Sequence, residues 1–214
     1  MARLNKQILG ESEGPLGNVS ISKRKGTTLV KSKPDRKKRK KGDPLPDQNR
    51  KLPLMSKLMK KFKDMINIGF DKKKKRDWTP VNAAVRYNLE RAIIGESPDF
   101  DVDYSKISIS RGKLETAWSG TLTYTAHMIT ASWEIPDCVK LKLVAKDKAY
   151  LLFYNTTTKK TVQVHGMVER QALSFAEEVK YFGNKGIMHA WIFFASPDGK
   201  EVSNSDYLGA VNLG

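Results

Sequence analysis

Cysteine is nearly missing from this chain: Cys138 is the only one in 214 residues. An internal disulfide and a multi-cysteine zinc site are therefore excluded. Histidine is scarce as well. His127, His165 and His189 show neither the Glu-x-x-His nor the His-x3-His spacing that would set two metal ligands on one face. No stretch approaches the roughly 18 consecutive apolar residues of a transmembrane helix. The opening Met1-Ala2-Arg3-Leu4-Asn5-Lys6-Gln7 has no apolar run behind its basic residues and does not read as a secretory signal. Gly10, Gly14 and Gly17 do not form a G-x-G-x-x-G loop, and no G-K-[ST] follows them, so they read as turn residues. Asp99, Asp101 and Asp103 begin like a calcium loop. Its glycine position is Tyr104, however, and its closing glutamate position is Ser110. Alternating acids on an exposed strand edge fit better. Cys138 borders a strand, with no nucleophile signature around it, and reads as a small buried residue. With no acid–base, nucleophilic or metal constellation, the sequence predicts a protein that is not an enzyme and takes no cofactor.

Positive charge is what the chain has in excess. Lys+Arg number 39 against 23 Asp+Glu, a formal net of +16. Residues 1–76 hold 24 of the basic residues and 7 of the acids, so the whole excess lies in the first third of the chain. Blocks of like charge repel one another and bury little, so they read as solvated arms or as partner-binding segments. The candidate residues for an anionic partner are Lys23, Arg24 and Lys25, then Arg36, Lys37, Lys38, Arg39, Lys40 and Lys41, then Lys72, Lys73, Lys74, Lys75 and Arg76. Nucleic acid, an acidic protein surface and anionic lipid are the chemical alternatives. The aromatics lie on predicted strands, apart from most of the basic residues, which favours core packing over a base-stacking platform.

Val19 and Ile21 alternate with Ser20 and Ser22, Thr27 and Thr28 follow, and Lys25-Gly26 supplies a turn, which predicts a hairpin. A basic, proline-broken linker runs from Pro34 to Pro53. Leu54, Met55, Leu58, Met59, Phe62, Met65 and Ile66 recur at helical spacing and predict an amphipathic helix over about 53–68, starting near Pro53. Such a basic helix can lie on a membrane or pack on a neighbouring helix, and Leu58 and Phe62 are its candidate protein-partner contacts. Thr79 and Pro80 suit the cap and first position of a second helix with a stop at Gly95. From Phe100 onward the period turns to alternation, with a change of parity predicting a bulge near Ser105-Lys106. Strands are predicted at 120–126, 128–135, 139–144, 149–154, 161–165, 172–175, 187–195 and 207–213, the spacing of an antiparallel sandwich. The fold class is therefore mainly β: a C-terminal sandwich preceded by a two-helix hairpin and a basic N-terminal β-hairpin or extended arm. The predicted divisions are 1–52, 53–97 and 98–214, with 77–214 able to fold alone and with Trp133 and Trp191 as core residues on facing sheets.

Ile129-Thr130-Ala131-Ser132-Trp133-Glu134-Ile135-Pro136 resembles the second strand of a fibronectin-III or immunoglobulin-like sandwich. Met188–Ala195 with Gly199, Val202-Ser203 and Ser205 resembles its last hairpin. Nearly the whole chain is also similar to an uncharacterised family of Bacteroidota proteins. The matching segments include Gly14-x-x-Gly17-Asn18-Val19, Ile66-Asn67-Ile68-Gly69-Phe70, Asn82-Ala83-Ala84-Val85-x-Tyr87-Asn88, Asp101-x-Asp103-Tyr104-Ser105-Lys106 and Asp198-Gly199-Lys200-x-Val202-Ser203-Asn204-Ser205-x-Tyr207-Leu208-Gly209. That family implies no function. Immunoglobulin-like modules without a secretion signal are common in bacteriophage virions, an analogy at the level of fold. The expected function is thus a structural or assembly protein whose basic arm docks into a larger complex such as a virion, oligomeric in context and located in the cytoplasm or the particle. The alternative is sequence-nonspecific nucleic-acid binding through the arm, with the sandwich recruiting partners.

Overall fold

The computed structural model describes residues 2–4, 13–24, 26–33, 47–70, 79–136, 144–181 and 185–214. The chain divides into two compact units, Met1–Pro44 and Leu45–Gly214. In the first, the expected hairpin forms from β3 (Val19–Arg24) and β4 (Thr27–Ser32), with Ile21 opposite Val30. Two further strands widen it. β1 (Ala2–Leu4) joins β4 and β2 (Gly14–Leu16) joins β3, giving the antiparallel order β1-β4-β3-β2. The two-residue turn between Leu16 and Val19 places Gly17 first, at φ 54°, where a side chain would be strained. Ile21 and Leu29 are the buried hydrophobic side chains among this unit's described residues.

The second unit opens with helices. α1 spans Asp47–Lys61, α2 Lys63–Gly69 and α3 Pro80–Leu89. The single helix expected from Pro53 instead begins upstream at acidic Asp47 and carries Pro53 inside it. It breaks at Phe62, whose φ −96° and ψ 13° leave the helical range and separate α1 from α2. Thr79 caps α3 as expected, accepting from the Asn82 amide at 3.3 Å. α3 stops at Leu89, short of Gly95. Ile93–Glu96 is strand β5, paired with β6 (Asp99–Val102), and Gly95 at φ 86° shapes their hairpin. The parity change after Val102 comes from a 3-10 turn at Tyr104–Lys106, not from a bulge. The Asp103 carboxylate makes that turn by accepting from the Ser105 amide at 3.0 Å.

Seven strands follow among the described residues. β7 (Trp118–Thr125), β8 (Met128–Glu134) and β11 (Ser174–Glu178) form one antiparallel sheet in the order β11-β8-β7. β9 (Lys148–Asn155), β10 (Thr161–Glu169), β12 (Ile187–Ala195) and β13 (Asp206–Asn212) form the other, in the order β10-β9-β12-β13. The strand expected over 139–144 and Cys138 fall largely outside the described residues.

β9 and β12 lie at the centre of the four-stranded sheet, and Ala149–Tyr154 and Ala190–Ala195 within them read as unbroken apolar runs. A half-solvated strand would alternate with polar residues; these runs mean that both faces are covered. Ala149, Leu151 and Phe153 of β9 and Ala190, Ile192 and Phe194 of β12 face the three-stranded sheet, where they meet Ile129, Ala131 and Trp133. Leu152, Tyr154, Trp191 and Phe193 point the other way, into the helices, where they meet Met59, Phe62, Met65 and Ile66. Trp133 and Trp191 are both buried on different sheets as expected, but their rings occupy different cores. Leu58 and Phe62, expected to pack on a partner, are 6% and 0% exposed and belong to the chain's own helix core. The Phe62 ring lies 5.4 Å from Tyr154 and 5.8 Å from Trp191, so the periodicity that marked this apolar face marked an intramolecular contact. Helices and sheet therefore share one core across residue 98.

A piece cut to residues 77–214 lacks α1 and α2 and bares Leu152, Tyr154, Trp191 and Phe193. It is expected to bind ANS and melt without a sharp transition, while residues 45–214 melt cooperatively; a cooperative melt of 77–214 at the same temperature would show that the helix layer is dispensable. Within 45–214, Phe62→Ala should lower stability by about 3–5 kcal/mol in urea titrations.

Candidate functional site

The polar residues of the family-like segments converge where the helix layer meets the sandwich. Asn88, fully buried, accepts from the Ser108 amide at 2.7 Å and donates to the carbonyls of Ser108 and Ala84 at 2.8 and 3.0 Å. Buried Ser110 donates to the Ser203 carbonyl at 2.6 Å. Ser203 accepts from the Phe194 amide and donates to the Asn204 carbonyl, at 2.9 and 2.7 Å. Ser205 accepts from the Ile109 amide at 2.9 Å. The backbones meet so closely that a Cβ on Gly112 would lie 1.7 Å from the Val202 carbonyl oxygen. These hydroxyls and amides stitch residues 108–112 to 202–206, using groups that a reactive serine would need free.

A second polar group lies inside the sandwich. Arg170, 3% exposed, donates to the Glu115 carbonyl and stacks its guanidinium 3.8 Å from the Phe194 ring centroid. Its Nε stands 3.8 Å from Asp147, too far for a hydrogen bond, so that contact is Coulombic only. Burial raises the Asp147 carboxyl above its ordinary value, against the opposing pull of Arg170. Asp206 is likewise raised by burial, although it accepts from the Ala117 amide at 2.7 Å. This group anchors the loops around Trp133, whose indole N–H donates to the Arg170 carbonyl at 2.8 Å.

The third group is aromatic. His189 on β12 stacks on Tyr104 at 4.5 Å, faces Trp191 at 6.1 Å and has Nδ1 2.8 Å from the Tyr207 hydroxyl. Burial pushes His189 below the ordinary histidine range. Burial first, then the nearby Tyr154 and Asp101, pushes Tyr104 up to about 12. Tyr207 rises for the same first reason, with Asp103 adding to it. A neutral imidazole between phenols that stay protonated holds β13 and the 3-10 turn together; it is poorly suited to moving protons near neutrality.

One surface cleft of about 360 Å³ opens at the β7–β8 turn, lined by Tyr124, His127, Glu178, Lys180 and Leu213 among others. Ala126 and His127 both take left-handed conformations there, at φ 49° and 64°. Glu178 and Lys180 pair across its rim at 2.5 Å, so its charges cancel. Among the described residues no three His, Cys, Asp or Glu side chains gather as a metal site, and no helix is long and apolar enough to cross a membrane.

Of the expected anion-binding residues, Lys23 is exposed on β3 and Arg24 ends that strand. Lys25, Arg36–Lys41 and Lys72–Arg76 lie outside the described residues. Sequence reasoning missed the His189 stack. Its signal was parity: His189 and Trp191 share a strand face, and Tyr104 and Tyr207 sit in the family-like segments. Arg170 left no such signal, because nothing local marks a charged residue for burial.

A family model described as "Family of unknown function (DUF6266)" matches residues 11–209. No curated protein matches the chain.

The folded pKa of His189 lies below that of the unfolded chain, so as pH falls the unfolded chain takes the proton first. Stability is therefore lost from about pH 6.5 downward and levels off below the folded value. Asp147 and Asp206, raised in the fold, act with the opposite sign, gaining stability as pH falls through their folded values. Comparing wild type with His189→Gln separates the two. Between roughly pH 7.5 and 5.5 the wild type should lose more stability than the variant; equal losses would remove His189 as the cause.

Proposed function

We propose, for a chain that belongs to the DUF6266 family of unknown function, a non-enzymatic assembly role in which the basic N-terminal unit docks on a partner and the second unit is a rigid body. The observation that carries this reading is the N-terminal unit itself. Residues 1–44 hold 13 Lys+Arg against 4 Asp+Glu, and among their described residues, which include four short strands, Ile21 and Leu29 are the buried hydrophobic side chains. A small sheet of short strands gains stability when a partner covers it.

The second unit supports the rigid-body half. Its first, second and fifth sandwich strands form one sheet, and its third, sixth and seventh, with the fourth at the edge, form the other. This strand order supports reading the unit as an immunoglobulin-like Greek key of the fibronectin-III variety, in which the fourth strand pairs with the third. Virion incorporation fits the same reading, by analogy of fold. Nucleic-acid binding through the arm is the second reading, favoured by the charge of residues 1–76.

Deleting residues 1–44 separates them. The assembly reading expects the remaining 45–214 unit to stay folded and lose its higher-order species in native mass spectrometry, with little change between 50 and 200 mM salt. If oligomeric state is unaffected while duplex DNA affinity disappears, and the full chain's affinity falls roughly a thousandfold over that salt range as about six phosphate contacts would require, the nucleic-acid reading takes its place.

A further inference from the structure

β10 stands at the end of the order β10-β9-β12-β13, and its pairing with β9 shifts register between His165 and Val168. Gly166 and Met167 form the bulge at that shift. Gly166 takes φ 59°, and a Cβ there would press on the Tyr150 hydroxyl at 3.1 Å, so neighbour and backbone both hold the position to glycine. A bulge re-aims the side chains beside it. Met167 is 83% exposed, the most of any large hydrophobic side chain among the described residues.

The other methionines are placed differently. The chain has seven, of which Met1 lies outside the described residues. Met55, Met59 and Met65 are 0% exposed in the helix core, and Met188 is 0% exposed in the sandwich core. Met128 is half-buried in the lining of the cleft at the β7–β8 turn. A thioether is open to two-electron oxidation, but only by an oxidant that reaches its sulfur. Burial therefore withholds four sulfurs from a dissolved oxidant, and the bulge presents one to it. The product is a polar sulfoxide. In the helix core it would set an oxygen without a partner among apolar side chains, whereas at Met167 it stays in water.

We propose that Met167 is a reversible oxidation site of the folded protein, with hydroperoxides as the oxidant class. This goes beyond the assembly reading and needs neither its partner nor the N-terminal unit. The Met167 sulfur attacks the terminal oxygen of the peroxide. The O–O bond breaks, an S–O bond forms, and the departing oxygen takes the proton and leaves as water or an alcohol. Sulfur gives up two electrons and the peroxide gains them. In the return step two thiols of a dithiol reductase become a disulfide, and the sulfoxide oxygen leaves as water.

The test treats the full chain with hydrogen peroxide at neutral pH and quenches with free methionine. Oxygen uptake is then mapped by mass spectrometry after trypsin, which leaves each described methionine on its own peptide. The peptide 161–170, which carries Met167, should gain one oxygen first. The peptides of Met55, Met59, Met65 and Met188 should react at least about tenfold more slowly, through opening of the fold. Urea below the unfolding transition should quicken those four and leave Met167 unchanged, which separates direct attack from attack through opening. Methionine sulfoxide reductase with dithiothreitol should return 161–170 to its starting mass while the chain stays folded. Met167→Leu should remove the early uptake and leave the other rates alone. Three results would each overturn the proposal: Met167 reacting no faster than the four buried methionines, a urea dependence shared with them, or a sulfoxide that the reductase removes from the free peptide but not from the folded chain. So would loss of the cooperative melt when 161–170 alone is oxidised, because Met167 would then belong to the packing.

Discussion

The four-stranded sheet is useful to this protein only because both of its faces are covered. β9 and β12 place apolar side chains on both faces, Leu151 and Phe153 with Ile192 and Phe194 on one and Leu152 and Tyr154 with Trp191 and Phe193 on the other, so no arrangement with one wet face is available to them. The three-stranded sheet covers one face and the helices α1 and α2 cover the other. At roughly 25 cal/mol per Å² of apolar area, several buried aromatic rings on each face outweigh any single polar contact in the molecule. The helices are a layer of the same fold, as necessary to β9 and β12 as the second sheet is.

That constraint explains where the polar residues go. A layer of helices laid over a sheet buries parts of two irregular segments, Ile107, Ile109 and Ser110 in one and Val202 and Ser203 in the other. Backbone groups there need partners, because an orphaned buried amide costs on the order of 1–3 kcal/mol. Asn88, Ser110, Ser203 and Ser205 supply them. The segments that carry the family resemblance are thus explained by the architecture they close.

Much of the fold was legible in the sequence. Alternation placed β7, β8, β12 and β13 within a few residues of their observed ends, and Thr79 and Pro80 marked the start of α3 through ordinary capping chemistry. The errors share a cause. Pro53 and Gly95 were read as punctuation, yet Pro53 sits inside α1 and Gly95 turns a hairpin, because neighbouring packing outweighed local preference. The run after Val102 changed parity as expected, but through an Asp103-capped turn whose geometry depends on one carboxylate.

What the sequence determined alone is what depends on neighbours along the chain: element type, the uneven charge, and the apolar faces of helices and strands. Only the tertiary structure decided which apolar faces meet. Leu58 and Phe62 had the periodicity of a docking face, and nothing in that period tells an outside partner from the chain's own sheet. Burial of Arg170 beside Asp147 was equally beyond the sequence. Hydrophobic burial has no direction, so periodicity specifies that a face will be covered and leaves its partner to the packing of segments far apart in the chain.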